Sequence, residues 1–312
     1  MSKPLISICI PAYKKPAYVT RLLDSILQQT YRNVEVIISD DTMDNTVKIA
    51  IEPYKTALNI SYTQNTPALR SPMNWNNAIT MARGDFFILF HQDDWLEDRE
   101  ALSKYLKAFE TRPEAEFVFC RNTGVDEAGH HTILQHIPSL LHQLRKKPLH
   151  LLLAQVIGPP SNTMLRTSAR DQVLYDEEMI WLVDVDYYVR LLKKGFDYVY
   201  LDEHLVNIGL HEDQTTVYVR NNDSIILKEN ILFASKIGEK AFKDILIYDY
   251  YWRLLRNHAI RNISDIVNSG IEEQRILPVI RHMLQLQQRF SLKRLRSGVF
   301  SKLMMVYSYI TR

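Results

Sequence analysis

Two stretches of this chain, Val34 to Asp41 and Phe86 to Asp94, follow one plan: a short apolar run that ends in adjacent carboxylates, Asp40-Asp41 in the first and Asp93-Asp94 in the second. Runs of four or five β-preferring apolar residues are too short for an amphipathic helix and read as strands buried on both faces, the kind that builds parallel sheets. Two anions side by side repel, so a pair where a buried strand surfaces is explained by a cation it holds or a helix N-terminus it caps. Open α/β sheets bind their ligands at the C-terminal edge of the strands. A chain with two such endings is therefore expected to carry a polar cleft along one edge of a largely parallel sheet.

The neighbouring segments supply what such a sheet needs. Residues 5–10 read as a first strand, stopped by Pro11. Pro16 sits where a first-turn proline is tolerated, and Val19, Leu22, Leu23, Ile26 and Leu27 follow at helical spacing. With a second strand over 34–38 this is a βαβ unit, which predicts parallel strands and a right-handed crossover. A strand over 60–63 and a helix over 71–82 lead back to Phe86; a helix over 100–110 and a strand over 116–120 follow Trp95. Glu97, Asp98 and Glu100 complement the dipole of that helix. Gly158-Pro159-Pro160 marks a break, after which 162–166 reads as a strand and 181–192 as a helix closed by Gly195. Residues 198–201 and 205–210 are further strand candidates, and from Ser224 onward the pattern is helical, with a break at Ser269-Gly270.

A length of 312 residues exceeds a usual single core, so the expectation is an α/β domain over 1–220 and a helical, basic region over 221–312. Glycine is scarce at 9 residues, and neither glycine-rich phosphate fingerprint is present, so a phosphate ligand would have to be met with a cation. Cys9 and Cys120 lie in apolar runs and read as buried thiols of a reducing cytoplasm. No apolar run is long enough to span a bilayer, and none reads as a signal peptide. The net charge of +2 hides an asymmetry: from Arg275 to Arg312 there are basic residues and no acidic one. That tail, with Leu292, Leu295, Val299, Phe300, Leu303 and Met304, fits either a core-packing helix or one lying on an anionic membrane. A nucleic-acid binder would explain the tail and leave the carboxylates unexplained, so no nucleic-acid partner is expected.

Several side chains are candidates for chemistry. Asp40 and Asp41 either cap a helix over 45–50 or accept hydrogen bonds from a base or a ribose. Arg70 either meets a phosphate or is a plain surface arginine. Asn74, Asn76 and Asn77 crowd a helix that asparagine disfavours, through solvation or through contact with a nucleotide or the Asp93 loop. His130, His131, His136 and His142 have no paired-ligand spacing and read as surface residues, as does Arg145-Lys146-Lys147. Asp184 falls at the start of its helix, where it can point into a cleft, whereas Asp186 faces another way. His211, a lone histidine after a strand, is by spacing a structural residue more often than a ligand.

In this order and at these intervals, over residues 5 to 216, the motifs resemble the family 2 inverting glycosyltransferases of the GT-A fold. Pro11-Ala12-Tyr13 is similar to the family's opening turn, residues 23–31 to its first helix, 34–41 to the strand whose aspartates bind the nucleoside, and 86–94 to the strand ending in the metal-binding D-x-D motif. Asp184-Val185-Asp186 resembles the segment whose first aspartate is the catalytic base, and His211 falls where the family often has a histidine on the metal or the diphosphate. Three positions depart from the pattern: Lys14 stands for Asn, His91 for the first Asp of the D-x-D-D run, and Val183 for the Glu before the base.

The resemblance implies a Rossmann-like mixed, mainly parallel sheet flanked by helices, with a helical C-terminal extension. It implies nucleotide-sugar contacts from Pro11, Tyr13, Asp40, Asp41, Arg70, Asn74, Asn77, Gln92 and Asp93, metal ligation by Asp94 and His211 with Mg²⁺ or Mn²⁺, and Asp184 as general base. Which of Asp93 and Asp94 is the direct ligand stays open. The implied reaction moves a sugar from a UDP- or dTDP-linked donor to a hydroxyl of a glycan or lipid-linked glycan in surface polysaccharide assembly, by a cytoplasmic protein peripheral at the inner face of the cell membrane. The rival reading is an inactive GT-A-like nucleotide-binding or assembly protein.

Overall fold

The computed structural model describes residues 3–133 and 138–312, so His136 lies outside the described residues. The chain divides into two compact units, residues 1–148 with 155–212, and residues 149–154 with 213–312.

The first unit is built on a sheet whose strands are β1 (Ile6–Ala12), β2 (Val34–Asp40), β3 (Asn59–Gln64), β4 (Phe86–Leu89), β5 (Trp95–Leu96), β6 (Ala115–Asp126), β7 (His131–Ile133), β8 (Thr163–Arg166) and β9 (Asp197–Leu210). Their order is β3-β2-β1-β4-β8-β6-β9-β5, with β7 paired to β6. The first four strands are mutually parallel, β8 enters antiparallel between β4 and β6, and β9 runs parallel to β6. This is the expected mixed, mainly parallel sheet. The strands of β1, β2 and β4 are buried along their length, as continuous apolar runs require.

Where the boundaries differ from expectation the cause is local. β1 continues through Pro11 and Ala12. Its pairing with β4 ends at Cys9, so at Pro11 only the β2 side remains and the missing N–H costs no sheet bond toward β4. The two strand candidates after Phe196 are one strand, β9, whose pairing with β6 slips between Cys120 and Asn122. Exposed Asp202 and Glu203 at that irregularity are what broke the apolar pattern.

The helix Pro16–Leu27 packs Val19, Leu22, Leu23 and Ile26 into the core, and the helix Ala101–Thr111 adds Leu102, Tyr105, Leu106 and Phe109. Both cysteines are free and buried; burial drives the Cys9 thiol pKa up and pushes Cys120 up to about 12, so neither is a nucleophile at neutral pH.

The second unit is helical: Asp223–Ile237, Ile245–Asn257, Pro278–Gln287 and Gly298–Thr311 are its longest helices. Phe233, Phe242, Tyr248, Tyr251 and Trp252 fill its core. The imidazole of His150 meets Asp244 at 2.8 Å. Gly270 ends the short helix Ile263–Val267 at a φ of 92°, which is the break expected near Ser269-Gly270.

Candidate active site

Because β2, β1 and β4 are adjacent and parallel, the residues that follow them emerge on one edge of the sheet. The edge is tied together by direct bonds. The Asp41 amide donates to the Ala12 carbonyl at 2.9 Å. The Tyr13 amide donates to Gln92 Oε1, and Gln92 Nε2 donates back to the Tyr13 carbonyl, both at 2.9 Å. The turn between them is strained: Lys14 and Lys15 both sit in the left-handed region, at φ 56° and 51°. The Lys14 amide donating to Thr42 Oγ1 at 2.6 Å helps to hold it.

At the end of β2 the paired carboxylates organise loops. Asp40 is fully buried; its oxygens accept from the Thr42 amide and the Tyr62 hydroxyl, each at 2.8 Å. Asp41 accepts from Asn65 Nδ2 and from the amides of Leu69 and Arg70, at 2.7–2.9 Å. It thereby shapes the loop that presents the exposed Arg70, whose own φ is 64°. Neither aspartate caps the helix Thr46–Ile51, whose N-cap is Asn45 and whose Thr46 amide donates to Asp44. Asp40 instead ties the end of β2 to Thr42 and to Tyr62 on β3.

Of the three asparagines on the helix Met73–Thr80, Asn74 and Asn76 are buried and Asn77 is half-buried. Asn74 bonds to the Ala12 carbonyl and to Asn65, and Asn77 to Ser39 and Asn65. Asn76 clasps the Tyr175 backbone in both directions at 2.9 Å. Asparagines tolerated on a helix against their propensity are accounted for by this internal network.

After β4, two carboxylates in sequence occupy different environments. Asp93 Oδ2 lies 2.9 Å from His211 Nε2, while its carbonyl accepts from the Arg21 guanidinium at 2.6 Å. Arg21 itself lies over the Trp95 ring, 3.8 Å from its centre. Burial would raise the Asp93 pKa, but the His211 hydrogen bond and neighbouring His91 outweigh it and hold the carboxyl below its usual range. Asp94 is only 1% exposed; its Oδ1 accepts from the Gly209 amide at 3.1 Å, and its buried Oδ2, 3.9 Å from His91 Nδ1, has no hydrogen-bond partner among the described residues. Burial, and then the Asp93 charge, raise its pKa well above the ordinary carboxylate value.

The His91 ring packs tilted against Trp75 with centroids 4.7 Å apart, and its buried Nε2 has no hydrogen-bond partner among the described residues. Burial lowers its pKa. Orphaned buried acceptors beside a carboxylate–imidazole pair form a donor set suited to a divalent cation. Among the described residues no three such side chains converge on a point. A cation here would complete its shell with diphosphate oxygens and water, as Mg²⁺ commonly does.

Asp184 lies in the first turn of the helix Val183–Lys193, its Oδ1 accepting from the Val185 amide at 2.7 Å. Its charge bears on the Tyr175 and Tyr188 hydroxyls. Tyr175 packs edge-on against Trp75 at 5.3 Å, so an aromatic series, Tyr175, Trp75 and His91, runs from the surroundings of Asp184 to the loop after β4. Asp186 turns away and pairs with Arg190 at 2.6 Å. Gly209, which sequence reasoning passed over, is part of this architecture: a Cβ there would stand 2.4 Å from the Asp93 carbonyl oxygen.

The sequence profile described as Glycosyl transferase family 2 matches residues 7–174, more than half of the chain. The chain is a family 2 glycosyltransferase. Asp184 and His211 lie C-terminal to the matched span. An uncharacterized protein of Mycobacterium tuberculosis is similar to this glycosyltransferase, with 29% identity over 249 residues, 74% of this chain and 75% of that one. The poly(ribitol-phosphate) β-N-acetylglucosaminyltransferase TarS of Staphylococcus aureus is 22% identical over 290 residues, 91% of this chain but 44% of its own length.

The crystal structure of TarS residues 1–349 with UDP-GlcNAc matches with a TM-score of 0.56 at 17% identity, covering 97% of this chain and 79% of that one. The mannosyltransferase PcManGT of Pyrobaculum calidifontis, solved with GDP-Man and Mn²⁺, matches with a TM-score of 0.58 at 14% identity, covering 99% and 86%. The glycosyltransferase therefore has the GT-A fold of these neighbours.

Proposed function

We propose that this glycosyltransferase moves a sugar from a UDP- or dTDP-linked donor to a hydroxyl of a glycan or lipid-linked glycan, with inversion at the anomeric carbon, in surface polysaccharide assembly. The observation that carries the reading is the meeting, on one sheet edge, of the Tyr13–Gln92 pair with Asp93–His211 and the orphaned Asp94 oxygen. TarS, named for transfer to poly(ribitol-phosphate) and solved with UDP-GlcNAc, supports a nucleotide-sugar donor and a polymer acceptor.

Tyr13, half exposed on its strained turn, and Arg70, at the end of the loop held by Asp41, are the groups that meet the nucleotide, with Pro11 at the end of β1. Asp93 with His211 would hold Mg²⁺ or Mn²⁺, and Asp94 supports them from beneath; this reverses the order expected from sequence, because Asp94 is the more deeply buried of the two carboxylates. When bound, the cation neutralises charge developing on the diphosphate leaving group. Asp184 takes the proton of the acceptor hydroxyl as it attacks the anomeric carbon, through an oxocarbenium-like state.

Thermal-shift screening of nucleotide sugars with Mn²⁺ identifies the donor. Transfer by Asp184→Asn then tests the base: the rate falls roughly 10²- to 10⁴-fold while donor affinity is retained. Loss of both together would move Asp184 into the binding or structural class.

A further inference from the structure

The last helix of the second unit, Gly298–Thr311, has its polarity turned inside out. Its buried residues are Ser301, Met305 and Ser308. Ser301 Oγ accepts from Trp252 Nε1 at 3.1 Å and from Arg256 at 2.9 Å, and Ser308 Oγ meets the Tyr248 hydroxyl at 2.7 Å. The helix is thus fastened by hydroxyl hydrogen bonds to the unit's aromatic core. Its outer side is apolar: Val299 is 77% exposed, Leu303 60%, Tyr307 52% and Ile310 74%. At about 100° per residue these four fall within an arc of roughly 80°, with half-buried Val306 beside them. A globular surface helix normally does the reverse, so this face awaits an apolar partner.

Charge identifies that partner. The exposed Lys293, Arg294 and Arg296 stand directly before the N-terminal end of the stripe and make no ion pair among the described residues. No acidic residue occurs from Arg275 to the end of the sequence. A clean aliphatic strip with an aromatic phenol, flanked by unneutralised cations, fits the headgroup boundary of an anionic bilayer. At 14 residues the helix is about 21 Å long, too short to cross a hydrocarbon core, and no described helix is long and apolar enough to do so.

We propose that this helix lies in the plane of an anionic membrane, with Val299, Leu303, Tyr307 and Ile310 among the lipid chains and Lys293, Arg294 and Arg296 on lipid phosphates. This deepens the lipid-linked acceptor reading and rests on it for its biological sense, but its test does not require transfer.

The test is co-sedimentation of the full chain with phosphatidylglycerol–phosphatidylcholine vesicles and with phosphatidylcholine alone, at low and high salt. The wild type binds the anionic vesicles and releases as salt rises. Leu303→Ser with Ile310→Ser weakens binding roughly tenfold per residue, and Lys293→Gln with Arg296→Gln about fivefold per residue. All four positions are exposed, so the thermal midpoint stays unchanged. Binding that ignores both double variants, or absence of wild-type binding to anionic vesicles at low salt, overturns the proposal. So does a wild-type dimer in solution that Leu303→Ser with Ile310→Ser dissolves while vesicle binding is lacking, which would assign the face to a second copy. Nucleotide-sugar affinity, measured on the same variants, separates the outcomes: lost vesicle binding with intact donor affinity leaves the transferase reading standing.

Discussion

Gly209→Ala is the substitution that most directly tests whether β9 sets the geometry of the loop after β4. The added methyl would lie 2.4 Å from the Asp93 carbonyl oxygen and 3.2 Å from Arg21 Nη2, against ordinary contacts of 3.4 Å or more. Backbone atoms must therefore separate by about 1 Å, a shift of the kind that costs roughly 1–3 kcal/mol of overpacking. The shift falls on the carbonyl that Arg21 grips and beside the amide that binds Asp94. On the usual scale, about 1 Å of misplacement at a reacting site lowers turnover on the order of 100-fold.

Thermal unfolding and steady-state transfer, measured on the same preparation, read both effects. Gly195→Ala is the control: its φ of 88° makes a side chain strained, yet nothing lies within 4 Å of the new Cβ. It loses about 1 kcal/mol of stability and keeps its catalytic rate. A Gly209→Ala enzyme with wild-type midpoint and turnover would show that the close approach to Asp93 has no bearing on the site.

Two further outcomes follow from the loop chemistry. Lys14→Asn, which places a residue tolerant of the left-handed region at φ 56°, raises stability by about 0.5–1 kcal/mol in chemical denaturation; an unchanged midpoint would mean the turn carries no strain. The raised Asp94 pKa means the folded state holds that proton more tightly than the unfolded chain, so its contribution is present below the unfolded value and lost as pH rises through the folded one. Asp93, with its lowered pKa, does the opposite, its contribution being lost as pH falls through the folded value. Asp94→Asn therefore flattens the decline of metal-free stability above the usual carboxylate range, as seen in midpoints taken across a pH series.

The parallel half of the sheet was legible because its strands are short apolar runs that end abruptly in charge, and Pro16 marked the first helix. β9 was harder to read, since exposed Asp202 and Glu203 split one strand into two apparent ones. At the sheet edge, residue type marked the polar loops but not their internal partners. The pairing of Asp40, Asn74 and Asn77 with Tyr62, Ala12 and Ser39 spans long separations that local sequence does not show. Asp93 and Asp94 are indistinguishable by type; only burial, set by β9, ranks them. Gly209 could have been found only as a glycine inside an apolar strand, a place where close backbone approach is the usual reason.

The position of β8 and β9 in the sheet has a consequence for how the chain matures. β1 to β4 are neighbours in the sheet and near one another in sequence, but Asp94 is fastened by an amide 115 residues further on. Contacts at such long range form late. During synthesis the edge formed by β1, β2 and β4 precedes the strand that anchors Asp94, so a chain interrupted before β9 would leave that carboxylate without the Gly209 amide.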